Sequence, residues 1–473
     1  MIKRSTSATE HAWAALGGDP ALAAAVGHHG PPAVLAARLP VREAARSAVA
    51  VASLAAAELV AARRGGGPVP AVRVDDGAVA TAFVSERHLR VEGRAATAFA
   101  PLSRFWHTAT GPLRTHANYP HHRARLLAAL GVPDDGDEAA LTSRVAAALA
   151  ARDALGAEED ICAAGGIAAA VRTPAEWAAH PQGAAVARHP LLTLERLADG
   201  PPRRPAEAPA GRPAEGLRVL DLTRVTAGPV ATRTLALLGA DVLRIDSPTL
   251  PELPEAHDDT GFGKRSATLD LARAADRAVF EELLAAADVV VTGYRPGALD
   301  RHGLSPHALA ERRPGLVVGQ LSAWGAYGPW GGRRGFDSVV QAACGIAVTE
   351  AGPDGLPGAL PAQALDHCTG YLLAAAVLRA VTASHTMGGA RLARLALAQT
   401  AAWLTRDVVP DEDGGGGEDG GVDAYEPAAW LAERDGPRGR VRYALPPVAF
   451  DGGPRDWDRP PKPLGADAPA WKR

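Results

Sequence analysis

The sequence predicts an α/β fold whose core is a doubly wound parallel sheet. Between residues 217 and 324, short apolar runs rich in branched side chains alternate with helical stretches. Such alternation predicts right-handed β-α-β crossovers, which join parallel strands. Ligands of these sheets bind beyond the carboxyl ends of the strands, so the turn after the first strand is the first candidate site.

Each element is placed by its own residue pattern. The first strand is expected at 217–223 (LRVLDLT), and a turn of small residues follows it. A helix over 231–238 ends at Gly239, and further helices are expected over 275–286 and 370–382. The remaining strands are expected at 240–246 (ADVLRID), 267–271 (ATLDL), 287–293 (ADVVVTG) and 316–324 (LVVGQLSAW).

Composition limits the classes of function. The chain has 473 residues, of which 47% are hydrophobic and 22% charged, with a formal net charge of -3. This balance provides no global basic field to hold nucleic acid or an anionic membrane. An anionic ligand would therefore need a local basic site.

A cytoplasmic location without a membrane span is expected. The N-terminus lacks the apolar run of a signal peptide, and the longest apolar stretch, 47–62, is interrupted by Glu58 and too short to cross a bilayer. Three scattered cysteines, Cys162, Cys344 and Cys368, lack paired spacing, which suits a reducing compartment.

Two stretches have the composition of linkers. Residues 200–213 (GPPRRPAEAPAGRP) are rich in proline, and residues 410–421 (PDEDGGGGEDGG) are acidic and rich in glycine. Acidic residues flank the glycines of the second stretch and would repel a phosphate. A linker is therefore favoured over a phosphate-binding loop.

The chain also contains a weak internal repeat. The segment SAVAVASLAAAELVAA, which begins at Ser47, aligns without gaps with DHCTGYLLAAAVLRAV, which begins at Asp366. In the same register, Thr81 falls on Thr400. The alignment therefore sets Ser47 opposite Asp366.

Asp366 has two possible roles. It precedes a predicted helix, where an aspartate commonly caps the first turn. A carboxylate at that place is also stabilised as the anion by the helix dipole and by backbone amides, which would suit a nucleophile. Residue pattern alone leaves both roles open.

Five segments of the second half of the chain occur in a recognisable order: GLRVLDLTRVTAGPVATRTLALLGADVLRIDSP, GKRSATLDL, ADVVVTGYRPGALDRHGLS, GFDSVVQAACG and LDHCTGYLLAAAVL. Together they resemble the class III CoA-transferase family, which includes formyl-CoA and carnitine CoA-transferases. The resemblance implies a Rossmann-like large domain, a smaller α/β domain and interlocked protomers, so a homodimer is expected. The family's covalent aspartate falls on Asp366.

The resemblance implies a transfer of coenzyme A from an acyl-CoA to a carboxylic acid. Asp366 would attack the thioester to give a mixed anhydride, which CoA thiolate would convert into an aspartyl-CoA thioester. Because water hydrolyses an anhydride, such a site must be dry. Coenzyme A is the expected ligand, and no metal is expected.

Similarity also indicates which residues hold coenzyme A. The residues expected along the first turn are Arg224, Val225, Thr226 and Ala227. Arg301 would reach the phosphates, and Lys264 and Arg265, at the opening of the third strand, would assist. Ser247 stands where some relatives have a basic residue.

Other activities are possible. A racemase of this family would need a histidine before the aspartate of a GHD-like motif, where Gly335-Phe336-Asp337 has phenylalanine. His367 would replace that base only if it faced the same cavity. A catalytically silent CoA-binding subunit is a further alternative. NAD binding is disfavoured because RVTAGP lacks the GxGxxG spacing, although Asp246 ends the second strand.

Two further groups suggest chemistry that their surroundings do not support. The histidines of HANYPHHR, at 116, 121 and 122, lack the HExxH pattern and a nearby acidic ligand, which disfavours a metal site. Cys368 has no identifiable orienting partner that would make it a nucleophile.

The smaller domain is expected in an unusual position, before the large one. The segments WHTATGPLRTHANYPHHRARLLAALG and CAAGGIAAAVRTPAEWAAHPQG resemble the family's small domain, which normally follows the catalytic helix. The serine of the N-terminal copy could not replace a carboxylate in anhydride chemistry. The expected units are 1–95, a degenerate copy of the catalytic-helix region; 96–199, the small domain; 200–213, a linker; 214–409, the Rossmann-like catalytic domain; 410–421, a linker; and 422–473, a tail that returns to the large domain.

Overall fold

A computed structural model describes residues 7–31, 33–95, 99–202, 211–410 and 425–472. The N-terminal region is mostly helical and includes the long helix α3. Its elements are α1 (Ala8–Ala15), α2 (Pro20–Ala24), β1 (Gly27–His29), α3 (Val41–Arg63), β2 (Arg73–Asp75), α4 (Asp76–Phe83), α5 (Ser85–His88), β3 (Arg90–Val91) and β4 (Arg94–Ala95).

A small α/β module follows. Its strands β5, β6 and β7 form an antiparallel sheet, and its helices bury a separate apolar core against it. The elements are β5 (Phe105–His107), β6 (Pro112–Thr115), α6 (Pro120–Leu130), α7 (Glu138–Ala150), α8 (Ala154–Ala163), β7 (Ala168–Ala170), α9 (Pro174–Ala179), α10 (Pro181–Ala187) and β8 (Leu192–Ala198).

The large domain contains the alternating elements. They are β9 (Arg218–Leu222), α11 (Ala227–Leu237), β10 (Asp241–Asp246), α12 (Pro254–Thr260), β11 (Arg265–Thr268), α13 (Ala274–Ala285), β12 (Val289–Thr292), α14 (Pro306–Arg312), β13 (Val317–Ser322), α15 (Asp337–Ala343), α16 (Ile346–Thr349), α17 (Ala364–Met387), β14 (Ala390–Ala396) and α18 (Leu397–Arg406). A short 3-10 helix, Asp300–His302, precedes α14.

These strands form a seven-stranded sheet in the order β11-β10-β9-β12-β13-β14-β8. All neighbours are parallel except β8, which pairs antiparallel with β14 at one edge. The strand order reverses between β9 and β12, which creates a crevice at the carboxyl ends of these strands. The predicted α/β class with a doubly wound parallel sheet is confirmed.

The boundaries of several elements differ from the sequence predictions. The third strand, β11, begins at Arg265 rather than at 267, and helix α17 begins at Ala364 rather than at 370. Strands β8 and β14 were not predicted. Their sequences, LTLERLA and ARLARLA, are rich in residues that favour helices, and pairing within the sheet overrides that preference. Because β8 lies within 96–199, that segment contributes a strand to the large sheet.

Alanine-rich helices form the centre of the molecule. Helix α17 packs against both α3 and α11, and nearly all residues of its first four turns are buried. A β-carbon at Gly370 would lie only 2.6 Å from the carbonyl oxygen of Ala227, so glycine permits the close approach of α17 to α11. The small side chains thus allow backbones to approach and exclude water from the helix core.

Helix α3 is longer than the apolar run at 47–62, whose short length was the reason to expect no membrane span. Its 23 residues have the length and composition of a membrane-crossing helix, with a mean hydropathy of 1.5 in the most apolar window. Within the protein, however, 89% of that window is buried. The burial explains its apolar composition as that of a core helix.

The N-terminal region and the large domain share a helix-strand-helix order. Helix α3, strand β2 and helix α4 follow one another as α17, β14 and α18 do, and Thr81 and Thr400 occupy the second helix of each series. Arg379 of α17 forms an ion pair with Glu58 of α3. The two copies of the helix therefore contact each other inside one chain.

The C-terminal tail contacts both the N-terminal region and the large domain. It contains a 3-10 helix, Pro427–Trp430, and strands β15 (Leu431–Gly436) and β16 (Gly439–Ala444), of which β16 pairs with β3. The indole of Trp457 donates to the carbonyl oxygen of Arg233 at 2.9 Å. Most of the two predicted linkers, residues 203–210 and 411–421, lies outside the described residues.

Candidate active site

A cleft of about 600 Å³ lies beyond the carboxyl ends of β9, β10, β12 and β13. Its opposite wall comes from helix α6 of the small module and the segment before β7. Among the predicted site residues, those that line the cleft are Arg224, Val225, Thr226, Ala227, Arg301 and Asp366. The predicted turn and the predicted nucleophile are therefore brought together at one site.

Asp366 lies in the first turn of α17, and only 7% of the residue is exposed. Of the two roles left open by the sequence, it does not fill that of the helix cap, because the N-cap is Gln363, whose side chain makes no capping hydrogen bond. Asp337, on α15, supplies the missing acceptor: its Oδ2 accepts from the backbone N–H of Asp366 at 3.0 Å. The candidate nucleophile is thus held at the start of the helix by a second carboxylate.

The electrostatics of Asp366 also differ from the expectation. Burial, followed by the nearby negative charge of Asp337, raises its pKa well above the usual value for aspartate. The expected stabilisation of the Asp366 anion by the helix end is therefore outweighed. Burial raises the pKa of Asp337 to about 6, although backbone and Gln341 hydrogen bonds oppose this rise. Since Asp337 receives these donors, it is the better placed of the two to carry the negative charge.

The turn after β9 has a strained backbone. Val225 has a φ of 70°, a left-handed conformation that is uncommon for a β-branched residue. Its N–H donates to Glu252 Oε2 at 2.8 Å, and this buried carboxylate also accepts from Arg244 at 3.2 Å. Arg224 lies over the Tyr119 ring, 4.7 Å from the centroid. Contacts to a buried carboxylate therefore fix the turn at the mouth of the cleft.

Two predicted coenzyme A ligands are placed elsewhere. Lys264 is buried outside the cleft lining, with its Nζ 3.0 Å from Oδ2 of Asp221, the penultimate residue of β9, and 2.9 Å from the carbonyl oxygen of Pro229. Arg265 makes hydrogen bonds to both carboxylate oxygens of Asp241, at 2.9 and 2.8 Å. Neither residue lines the cleft, because these contacts hold both side chains within the protein, and their assignment as coenzyme A ligands stays a prediction.

The remaining predicted phosphate ligand is exposed. Arg301 lies on the 3-10 helix after β12 and donates through Nε to His302 Nε2 at 3.0 Å. Asp246 and Ser247 also line the cleft. Asp246 accepts two hydrogen bonds of 2.8 Å from Arg244, so its carboxylate is engaged within the protein.

Phe336 occupies the position at which a second base would stand. Its ring stacks on His116 with 4.0 Å between centroids, and it lines the cleft near Asp366. His367 is buried outside the cleft lining, stacked on Phe83 at 5.0 Å. Burial lowers the pKa of His367 to about 3 and raises that of Cys368. Neither residue is placed for chemistry on a ligand in the cleft.

Two of the three histidines considered for a metal line the cleft. The rings of His121 and His122 lie 4.0 Å apart, and burial lowers the pKa of His122 to about 2. No group of three or more metal-binding side chains occurs within the ranges that the structure describes. Ser47 is buried outside the cleft lining and accepts from Thr9 Oγ1 at 3.0 Å.

Sequence reasoning missed four arginines of the cleft. They are Arg125, Arg295, Arg333 and Arg334. Arg295 lies in the segment ADVVVTGYRPGALDRHGLS, directly after β12. Because ligands of such sheets bind at the carboxyl ends of the strands, this position could have indicated Arg295 as a site residue. Arg125 follows the two histidines on α6, and only the folded arrangement brings it to the sheet.

A family model provides the decisive comparison. The model for CoA-transferase family III matches residues 214–467, which is more than half of the chain. The chain belongs to CoA-transferase family III. The cleft, the turn after β9 and Asp366 all lie within or against the matched part of this family III protein.

Several curated proteins are similar to this family III protein over part of their length. Acetyl-coenzyme A transferase nodX of Hypoxylon pulicicidum is 35% identical over 203 residues, which are 42% of this chain and 34% of the relative. "Probable fatty acyl-CoA transferase Rv3272" of Mycobacterium tuberculosis is 35% identical over 213 residues, which are 42% of this chain and 54% of the relative. A formyl-CoA:oxalate CoA-transferase of Streptomyces coelicolor is 36% identical over 191 residues, with coverages of 38% and 46%.

This family III protein spans about half the length, or less, of the curated relatives that it matches. A solved structure, that of the hypothetical protein Rv3272 from Mycobacterium tuberculosis, has 34% sequence identity and a TM-score of 0.38. It covers 41% of this chain and 58% of that chain.

Proposed function

We propose that this protein transfers coenzyme A from an acyl-CoA to a carboxylic acid, with Asp366 as the covalent nucleophile. The observation that carries the proposal is the position of Asp366. Its carboxyl group lies in the wall of the cleft at the start of a buried helix. Membership of CoA-transferase family III supports the class of reaction.

The reaction begins with the Asp366 carboxylate. One of its oxygens attacks the thioester carbonyl carbon, the carbon-sulfur bond breaks, and CoA leaves as the thiolate, which gives an acyl-aspartyl anhydride. The thiolate then attacks the aspartyl carbonyl carbon and releases the first acid as its carboxylate. The result is an aspartyl-CoA thioester.

The acceptor acid reverses these steps. Its carboxylate attacks the aspartyl-CoA carbonyl carbon, expels the thiolate and forms a second anhydride. The thiolate then attacks the acceptor's acyl carbon, which yields the new acyl-CoA and restores the Asp366 carboxylate. Each bond formed is matched by one broken, so the sequence needs no oxidant or reductant.

The surroundings of Asp366 favour such covalent chemistry. Phe336 and Leu397 contribute apolar wall to the cleft that Asp366 also lines, and such wall limits the access of water to an anhydride. Binding of the thioester beside the arginines of the cleft would favour the charged Asp366 carboxylate, which burial disfavours. We propose that Arg224 and Arg301 hold the phosphates of coenzyme A at the outer end.

A trapping experiment tests the proposal. The protein is incubated with a panel of acyl-CoA and acid pairs, treated with hydroxylamine, and digested for mass spectrometry. A hydroxamate at Asp366, together with transfer activity, is expected. The variant Asp366→Asn should lose both, since an amide cannot form the anhydride. Full transfer activity in that variant would overturn the assignment.

A homodimer and a cytoplasmic location also remain parts of this proposal. The contact between α3 and α17 indicates that one chain already supplies some helix pairing for itself. Sedimentation equilibrium of the full chain would establish whether two copies associate, and fractionation of the source cells would establish the compartment. A monomer, or recovery in a membrane fraction, would contradict the corresponding statement.

A further inference from the structure

A tyrosine of the small module anchors one wall of the cleft to the other. Tyr119 is the N-cap residue of α6, the helix whose first two turns carry the cleft-lining His121 and Arg125. Its hydroxyl group donates to Oε1 of Glu252, which lies between β10 and α12 of the large domain. The start of α6 is therefore attached directly to the sheet side of the cleft.

Glu252 joins this tyrosine to the turn after β9. Its other carboxylate oxygen, Oε2, accepts from the backbone N–H of Val225 at 2.8 Å and from Arg244 at 3.2 Å. Burial would raise the pKa of Glu252, but nearby arginine charges, followed by the hydrogen bonds to this carboxylate, outweigh it and hold the pKa below its usual value. One charged carboxylate is therefore shared between the two walls of the cleft.

The backbone at Val225 depends on the position of this carboxylate. A φ of 70° is a strained conformation for a β-branched residue, and it persists only where surrounding contacts impose it. The bond from the Val225 N–H to Glu252 is such a contact. Displacement of the carboxylate would release the turn to an ordinary backbone conformation.

Tyr119 also contacts Arg224 through its ring. The guanidinium carbon of Arg224 lies 4.7 Å from the ring centroid, and Nη2 donates to the carbonyl oxygen of Pro251 at 2.8 Å. The ring and this carbonyl group set the direction of the guanidinium at the mouth of the cleft. The hydroxyl of Tyr119 therefore serves the turn, whereas its ring serves the arginine.

Further bonds hold the small module on the other side of the crevice. Gln182 Nε2 donates to the carbonyl oxygen of Trp324, which follows β13, at 2.9 Å. The backbone N–H of Arg172 donates to the carbonyl oxygen of Ala342 on α15 at 3.1 Å. Loss of the Tyr119 hydroxyl would therefore free the turn without undocking the module.

We propose that Tyr119 and Glu252 are positioning residues, which hold the turn after β9 and Arg224 in the geometry that coenzyme A requires. The hydroxyl acts through the carboxylate, and the carboxylate acts through the Val225 N–H. This inference rests on the proposed binding of the coenzyme A phosphates at Arg224. The small module thereby contributes to the affinity for coenzyme A as well as to the wall of the cleft.

Replacement of Tyr119 by phenylalanine separates the hydroxyl from the ring. Tyr119→Phe removes the bond to Glu252 and keeps the ring beside Arg224. Tyr443→Phe is the matched control, because the buried Tyr443 also donates to a carboxylate, that of Asp456, at 2.8 Å but lies outside the cleft lining. Titration calorimetry of the full chain measures coenzyme A binding, and hydrogen exchange of the ligand-free chain, read by mass spectrometry, follows peptides that cover 223–228.

Tyr119→Phe should weaken coenzyme A binding roughly tenfold, as expected for loss of a hydrogen bond to a charged group. Its peptides over the turn should take up deuterium faster than those of the wild type. The KM for an acyl-CoA should rise, while kcat at saturation should stay within about twofold because Asp366 is not moved. Tyr443→Phe should bind coenzyme A as the wild type does, with unchanged exchange of the turn.

A second variant, Glu252→Gln, tests whether the two residues act in series. It keeps the size of the side chain and removes its charge. Tyr119→Phe should therefore weaken coenzyme A binding less in the Glu252→Gln background than in the wild type. Equal effects in the two backgrounds would show that the residues act independently and would overturn the proposal.

Unchanged coenzyme A affinity in folded Tyr119→Phe would overturn the proposal and leave the proposed function intact. Weaker binding without faster exchange of the turn would assign the hydroxyl to a direct contact with the ligand and overturn it too, as would an equal loss of affinity in Tyr443→Phe. If the expected binding results coexist with no transfer and no Asp366 adduct in the wild type, the proposed function alone is rejected. Failure of the wild type to bind coenzyme A would reject both.

Discussion

The carboxylate of Asp337 accepts a hydrogen bond of 3.0 Å from the backbone N–H of Asp366. The two residues lie on different helices, α15 and α17, so Asp337 caps α17 from outside. A second bond steadies this acceptor, because Gln341 donates to Asp337 Oδ1 and itself accepts from Leu360 N at 2.9 Å. Asp337 therefore fixes the position of Asp366 through this hydrogen bond and also raises the pKa of Asp366 through its negative charge.

Replacement of Asp337 by asparagine should change the pH profile of transfer. The asparagine side chain would keep an acceptor for the Asp366 N–H but would remove the neighbouring negative charge that contributes to the raised pKa of Asp366. The rise of kcat/KM with pH should therefore shift to lower pH, by roughly one unit. Steady-state rates with one acyl-CoA across the acidic and neutral range provide the measurement.

The variant Asp337→Ala serves as its control. Loss of the acceptor should reduce the free energy of unfolding by about 1 kcal/mol, as for removal of a helix cap. An unchanged pH profile in Asp337→Asn, despite a normal thermal unfolding curve, would show that the two carboxyl groups are not coupled.

The raised pKa of Asp366 also predicts a pH-dependent effect on stability. The folded protein holds this proton more tightly than the unfolded chain does, so stability should fall as pH rises from the ordinary aspartate pKa through the raised one. Asp366→Asn should remove this loss. Urea unfolding should show the variant more stable than wild type by ~1 to 3 kcal/mol at neutral pH. The difference should vanish near pH 3, below the ordinary carboxyl pKa; a difference independent of pH would contradict the assignment.

Lys264 should prove structural. Lys264→Met would leave Asp221 buried without its partner and should cost about 3 to 5 kcal/mol. The double variant Lys264→Met, Asp221→Asn should recover much of that loss and bind coenzyme A as the wild type does. By contrast, Arg301→Gln should weaken binding, most clearly at low salt. Titration calorimetry and thermal unfolding test these statements; weakened coenzyme A binding in the folded double variant would restore Lys264 to the site.

The strained turn at Val225 gives a further prediction. At a φ of 70°, glycine is tolerated without steric cost, whereas alanine is not. Val225→Gly should therefore be more stable than Val225→Ala by about 1 kcal/mol, the reverse of the order in ordinary backbone. Urea unfolding of the two variants provides the comparison, and equal or greater stability of the alanine variant would show that the turn relaxes.

The sequence allowed the parallel sheet and the first turn to be predicted because each depends on local pattern, whereas the role of Asp366 was inferred from the family resemblance. Strands β9, β10, β12 and β13 carry apolar runs that are buried on both faces, which makes their period easy to recognise. Strand β14 lacks such a run and becomes a strand only by pairing with β13. Its recognition required the tertiary structure.

Which residues line the site was harder to predict, because this also depends on the tertiary structure. Lys264 and Arg265 were expected to assist in holding coenzyme A, but their side chains pair with Asp221 and Asp241 and do not line the cleft. Arg125 joins the cleft from a module that is distant along the chain. The raised pKa of Asp366 depends on burial and on Asp337, neither of which local residue preference can reveal.

Transfer with an acceptor acid labelled with heavy oxygen in its carboxylate tests the central claim most directly. The acceptor's attacking oxygen becomes the bridge of the second anhydride, and it stays on Asp366 when the thiolate takes the acyl group. The account predicts one heavy oxygen atom in the Asp366 side chain after a single turnover and up to two after many, located by peptide mass spectrometry. Transfer that leaves Asp366 unlabelled over many turnovers would contradict it.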